Sequence, residues 1–124
     1  MLVVDHSRVR SAVERAYDGV CSVVEYRDVV DEVSGITRKE EVIVAEGVAC
    51  KLSFELNYPA EQTDTVSVVS QRAKLFVAPE VDIKNGSKIV VEQYGKKAEY
   101  CCCGETAVYP THREIRAAPF VRWA

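Results

Sequence analysis

Three consecutive cysteines, Cys101, Cys102 and Cys103, join Cys21, Cys50 and a His112-x-Glu114 pair as the residues through which this chain could do chemistry. Close-set thiols suggest a metal site, a nucleophile or disulfide exchange, and a histidine with a carboxylate two residues on suggests a general base. The spacing argues against each. A strand carrying the three cysteines points Cys101 and Cys103 to one side and Cys102 to the other, so they cannot converge on one ion, and no C-x2-C pair is present. The neighbouring Glu99 and Glu105 disfavour a thiolate, and no nucleophile is spaced to join His112 and Glu114. Five is an odd number for a secreted disulfide framework. The expectation is free thiols in a reducing cytoplasm, with Cys21 and Cys50 as small core residues, no catalytic residue, no metal and no cofactor. Gly-rich phosphate loops, H-E-x-x-H and G-x-S-x-G are all missing.

The elements that would position these groups are mostly strands. Val9, Val13, Ala16 and Tyr17 recur at helical spacing after Asp5 or Ser7 as a cap, and Gly19 stands where a left-handed C-cap would end that helix. Beyond it, Val20–Glu32 and Thr37–Ala45 flank a Ser34-Gly35 turn as a long hairpin. Val48–Leu56 alternates, with Val48, Cys50, Leu52, Phe54 and Leu56 on one side. The run Asn57–Ser70 loses the pattern, and a polar loop of that length in a small domain is commonly functional or disordered. Gln71–Ala78, Lys88–Tyr94, Lys97–Cys103 and Thr111–Ala117 then read as further strands, with Lys84-Asn85-Gly86-Ser87 and Gly95-Lys96 as turns. The predicted fold is therefore mainly β, a small antiparallel β-barrel or sandwich with one short N-terminal α-helix. Residues 1–124 form a single domain in this reading, with the helix in 1–19, the barrel in 20–124 and the long loop over 57–70.

Composition sets the outer limits. The 124 residues carry 48% hydrophobic and 28% charged side chains, an ordinary globular balance, and no apolar run suits a membrane crossing or a signal peptide. Net charge is -3, divided as 7 basic against 12 acidic residues over 1–62 and 9 against 7 over 63–124. That asymmetry makes no basic stripe for nucleic acid, but it suits a head-to-tail contact between copies of the chain. Tyr58, Tyr94, Tyr100 and Tyr109 with scattered lysines leave a small barrel that binds single-stranded nucleic acid or a ligand as an alternative, although such binders need a basic groove.

The run Lys74-Leu-Phe-Val-Ala-Pro-Glu-Val-Asp-Ile-Lys-Asn-Gly-Ser-Lys-Ile-Val-Val91, with Val48–Ser53, Gly104–Tyr109 and Thr111–Ile115, resembles the head–tail connector proteins of phages and prophages of Gram-positive bacteria, the head-closure or stopper proteins of the neck. The likeness covers about residues 48–124, and the triple cysteine departs from it. It implies a structural virion protein at the head–tail junction, made in the host cytoplasm, without enzymatic activity or membrane. The implied assembly is a homo-oligomeric ring of about 6 or 12 subunits around packaged DNA, which it helps retain. A portal or adaptor protein lies above the ring and a tail-tube or terminator protein below it. A tail-terminator or tail-completion protein is the alternative within the same setting. The resemblance makes the loop residues Tyr58, Glu61, Gln62, Thr63, Asp64 and Thr65 candidates for a lumen-facing or subunit-bridging element, and Phe120, Arg122 and Trp123 candidates for a C-terminal contact.

Overall fold

The computed structural model describes residues 6–57, 70–104 and 106–123. The chain runs through α1 (His6–Arg15), β1 (Gly19–Val30), β2 (Thr37–Asn57), β3 (Ser70–Val77), β4 (Lys88–Gln93), β5 (Lys96–Cys102), β6 (Ala107–Val108) and β7 (Arg113–Pro119). Every strand pairing is antiparallel, in the order β3-β2-β1-β4-β5-β7-β6, and a further pairing of β3 with β7 closes the sheet on itself. The fold is mainly β with one short helix, as predicted. The short β6 follows β5 along the same edge of β7.

The alternation seen in the sequence becomes the wall of the barrel. Cys21 and Val23 of β1, Cys50 and Leu52 of β2, Leu75 and Val77 of β3, Ile89 and Val91 of β4, Cys102 of β5, and Ile115 and Ala117 of β7 all point inward and are buried. Ile83, on the link between β3 and β4, is buried with them, and Val81 packs against the same cluster. The turn Lys84–Ser87 reverses the chain there, with Gly86 at φ 88° and the Ser87 amide donating to the Lys84 carbonyl at 3.1 Å. A positive φ of that kind is what glycine supplies without strain.

Three departures from the sequence reading have physical causes. The runs Thr37–Ala45 and Val48–Leu56 are one continuous strand, because Gly47 at φ 64° forms a bulge within β2 and does not end it. Phe54 shares the parity of Cys50 and Leu52, but it lies opposite Ala73 at the mouth of the barrel and is 49% exposed. Gly19 is no helix cap: it opens β1, paired with Cys50 on one side and Gln93 on the other.

That position requires glycine because of Gln93. β1 begins at Gly19, so beyond it β2 and β4 would face each other across a gap. The Gln93 amide spans the gap, its Oε1 accepting from the Leu52 amide at 2.9 Å and its Nε2 donating to the Leu52 carbonyl at 3.1 Å. A Cβ on Gly19 would lie 3.0 Å from that Oε1 and 3.1 Å from the Cys50 carbonyl. Gln93→Ala strips both partners from a half-buried backbone and should cost about 1–3 kcal/mol, read as a lower urea midpoint with an unchanged slope. Gly19→Ala should lower the midpoint as well, by displacing the same amide.

The helix contributes little to the core. None of its residues is buried. It is tied to the barrel by an ion pair from Arg10 to Glu80 and, just past its end, by the Tyr17 hydroxyl donating to the Val77 carbonyl at 3.4 Å.

Candidate functional site: a projecting hairpin and a C-terminal clasp

Two features of the barrel go beyond scaffolding, and both involve β1 and β2. β4 pairs with β1 only as far as Val24, whereas β1 and β2 stay paired out to Val30 and Thr37. Residues 25–42 therefore extend past the barrel as a two-stranded arm. Two register shifts, each adding one residue to β2 against β1, fall between Cys21 and Val24, where the arm departs. Bulges of this kind bend a strand and raise its twist.

The tip of the arm is a built turn. The Asp31 carboxylate accepts from the Val33 amide at 2.9 Å, the Gly35 amide donates to the Asp31 carbonyl at 2.8 Å, and the Asp31 amide donates to the Ile36 carbonyl at 2.9 Å. The Val33 amide and then the Ser34 hydroxyl hold the Asp31 carboxyl below the usual carboxylate range. Gly35 supplies the positive φ, 71°. The side chains this turn presents are apolar: Val33 is 97% exposed, Ile36 61% and Val30 60%. A two-stranded ribbon is at best marginally stable alone in water, so an ordered turn displaying bare aliphatic groups has the form of an interaction element.

The base of the arm is clasped by the C-terminal tail. After β7 the Phe120 amide donates to the Glu99 carbonyl at 3.0 Å, prolonging the pairing with β5. Trp123 then stacks flat on Tyr26 of β1, with centroids 5.0 Å apart and 8° between planes, and meets Phe120 edge-on at 5.0 Å. Its indole N–H donates to Glu41 Oε1 of β2 at 3.0 Å. Lys88 of β4 sits beneath both rings, its Nζ 4.7 Å from the Phe120 centroid and 5.7 Å from that of Trp123. The same ammonium pairs with Glu41 at 2.8 Å and Glu99 at 3.1 Å. Those hydrogen bonds, Glu41 first, raise the Lys88 pKa against the opposing effect of its cover. Lys88 and then Trp123 hold the Glu41 carboxyl below its ordinary range. The cluster thus ties four strands and the tail together around one cation.

A second aromatic group lies around His112. Its ring stacks on Tyr109 at 4.8 Å and meets Phe76 at 5.8 Å, its Nδ1 lies 2.9 Å from the Thr111 hydroxyl, and its Nε2 lies 3.3 Å from Glu114 Oε1. The sequence-level pairing of His112 with Glu114 is therefore real. Both ring nitrogens are engaged and two aromatic rings lie against the imidazole, an arrangement that packs the β6–β7 turn against β3.

The candidate residues of the sequence fare differently. Tyr58, Glu61, Gln62, Thr63, Asp64 and Thr65 lie outside the described residues; β2 and β3, which bracket them, pair as far as Asn57 and Ser70. Phe120 and Trp123 are brought together, against their own barrel, while Arg122 and Val121 are exposed. The three adjacent cysteines separate as their parity requires: Cys102 is buried, where desolvation pushes its thiol up to about 11, while Cys101 is half-buried and Cys103 exposed. The Cys21 and Cys50 thiols lie together in the core, where their mutual hydrogen bond and burial push Cys50 well up. Among the described residues, no three His, Cys, Asp or Glu side chains gather as a metal site would require. Nor, among them, is any helix long and apolar enough to cross a membrane.

The sequence reading has the long hairpin and a C-terminal contact, but neither the projection of that hairpin beyond the barrel nor what the tail touches. The arm had a signal, since Val33 and Ile36 beside Ser34-Gly35 put apolar residues in a turn. Of the clasp, the sequence singles out Phe120 and Trp123 as a C-terminal contact but not their partners, which come from four separate strands.

No family model matches the chain, and no curated protein matches it in sequence. Among solved structures it is similar to the protein xkdH of the phage-like element PBSX from Bacillus subtilis, at 12% identity and a TM-score of 0.48, over 81% of this chain and 91% of that one.

Proposed function

We propose that the chain is a structural virion protein of a phage neck, whose copies form a ring joining head to tail and helping to retain packaged DNA. The observation that carries this reading is the arm: an ordered two-stranded projection with apolar side chains bare at its tip. Apolar side chains displayed on an ordered projection suit a protein that works by touching other chains, copies of itself included. The block Lys74–Val91 supports the reading. It supplies the strand, turn and strand that resemble neck proteins, and here these build the barrel wall around Ile83, Ile89 and Val91. In this role the chain has no catalytic residue and needs no cofactor. Its partners are further copies of itself, a portal or adaptor on one side and a tail protein on the other.

Light scattering across a concentration series, with negative-stain imaging of any large species, tests the reading. The expected result is a closed ring with an open channel. A chain that stays monomeric at every concentration and binds oligonucleotides with a steep salt dependence would overturn it in favour of a nucleic-acid-binding barrel.

A further inference from the structure

A second surface feature of the barrel is a socket, a half-open hollow. At the mouth where Phe54 emerges, a hollow of about 140 Å3 is lined by Phe54, Ala73, Ala98, Glu99, Tyr100 and Pro119. An apolar cavity of ~150 Å3 takes a molecule the size of benzene, so this hollow has room for one branched aliphatic side chain. Phe54 is half exposed on its wall, and the single carboxylate present, Glu99, is already paired to Lys88.

An arm cannot reach the socket of its own chain. Thr37 at the root of the tip and Phe54 on the socket wall stand on the same strand, 17 residues apart. At ~3.3 Å per residue that is roughly 50 Å of extended backbone before bending. Charge favours a second copy. Residues 25–46 carry seven acidic against three basic side chains, while Lys96, two residues along the same face of β5 from Ala98, is exposed with no ion-pair partner among the described residues.

Resting on the ring reading above, we infer that Val33 at the tip of one subunit seats in the Phe54–Ala98–Tyr100–Pro119 hollow of the next, with Ile36 outside it against the rim. Knob and socket are different surfaces of the subunit, the tip of the arm and a hollow on the barrel wall, so the contact is heterologous. It propagates head to tail and closes into a ring when the rotation between copies permits. The Asp31 turn has a defined task in this arrangement, holding Val33 outward before the neighbour arrives, which lowers the ordering cost of association.

Val33→Asp places a charge on the knob, and Ala98→Asp places one in the socket. Both positions are exposed, so the subunit should keep its melting temperature while assembly weakens at least tenfold in the concentration required. Cysteines at Val33 and Ala98 in a Cys103→Ser background, oxidised with diamide at high protein concentration, should give a ladder of covalent oligomers on a non-reducing gel. Neither variant with only one of the two added cysteines should give a ladder beyond dimer. If wild-type protein forms rings but both charged variants assemble undiminished and no ladder appears, the knob-and-socket contact is wrong and the ring reading stands. If wild-type protein forms no rings and the variant carrying both introduced cysteines gives no ladder, both fall.

Discussion

Ile89→Ala is expected to destabilise the barrel by about 2–5 kcal/mol, the range for deleting a large aliphatic side chain from a packed core. Ile89 is fully buried, the second residue of β4, and lies in one core cluster with the equally buried Leu75 and Ile115. Its strand is held on both sides, by β1 through Val23 and by β5 through Tyr100, so the backbone has little freedom to collapse into the space left behind. A loss of that size should lower the melting temperature by on the order of 10 °C in a domain of this length. Val30→Ala removes methyl groups of the same chemistry from the arm, where they are exposed, and should stay within about 0.5 kcal/mol. Chemical denaturation of the two variants side by side checks both figures. Equal losses would mean that the arm is part of the folding core and not a projection from it.

That contrast marks what could be read in the residues themselves. Burial follows parity along a strand, and parity is local, so the alternation that sets Cys50 and Leu52 on one side of Val48–Leu56 carries over to the barrel interior. Parity does not say where a barrel ends. Phe54 keeps the inward phase and still emerges at the mouth, because the residue across from it on β3 is Ala73 and the wall opens there. Glycine was ambiguous for a related reason. Gly35 and Gly86 serve the turns their neighbours announce, whereas Gly47 bends a strand that continues and Gly19 makes room for the side chain of Gln93, a residue 74 positions away. The functional surfaces lay furthest from view. An arm is defined by where β4 stops pairing, and a clasp by a tryptophan meeting a tyrosine, a lysine and two glutamates from four strands; neither is a property of any short stretch of chain.

Acid should release the clasp before it unfolds the barrel. Glu41 is held below its ordinary range first by Lys88 and then by the Trp123 indole, so its contribution is present above the unfolded carboxylate pKa of ~4.3 and is lost as pH falls through its lower folded value. Protonated Glu41 no longer pairs with the ammonium, and the indole N–H loses a charged acceptor. The core contains no carboxylate, so the barrel has no matching reason to open in that window. Trp123 is the one tryptophan of the chain, so its emission should shift toward that of a solvated indole below about pH 4 while far-ultraviolet circular dichroism holds steady. Lys88 works in the opposite sense: its pKa is raised by the two glutamates, its contribution is complete below ~10.4, and it is lost as pH climbs through the higher folded value. Lys88→Met keeps the stem beneath Phe120 and Trp123 but removes the cation. It should weaken the stack at neutral pH and move the remaining acid transition up toward the ordinary carboxylate range, because the largest cause of the Glu41 shift has gone. Trp123→Ala should leave the core stable and free Tyr26, Glu41 and Lys88 together, at the base of the arm. An emission spectrum that stays constant until the circular dichroism collapses would show that the tail is held by packing alone and that the ion pairs beneath it contribute nothing.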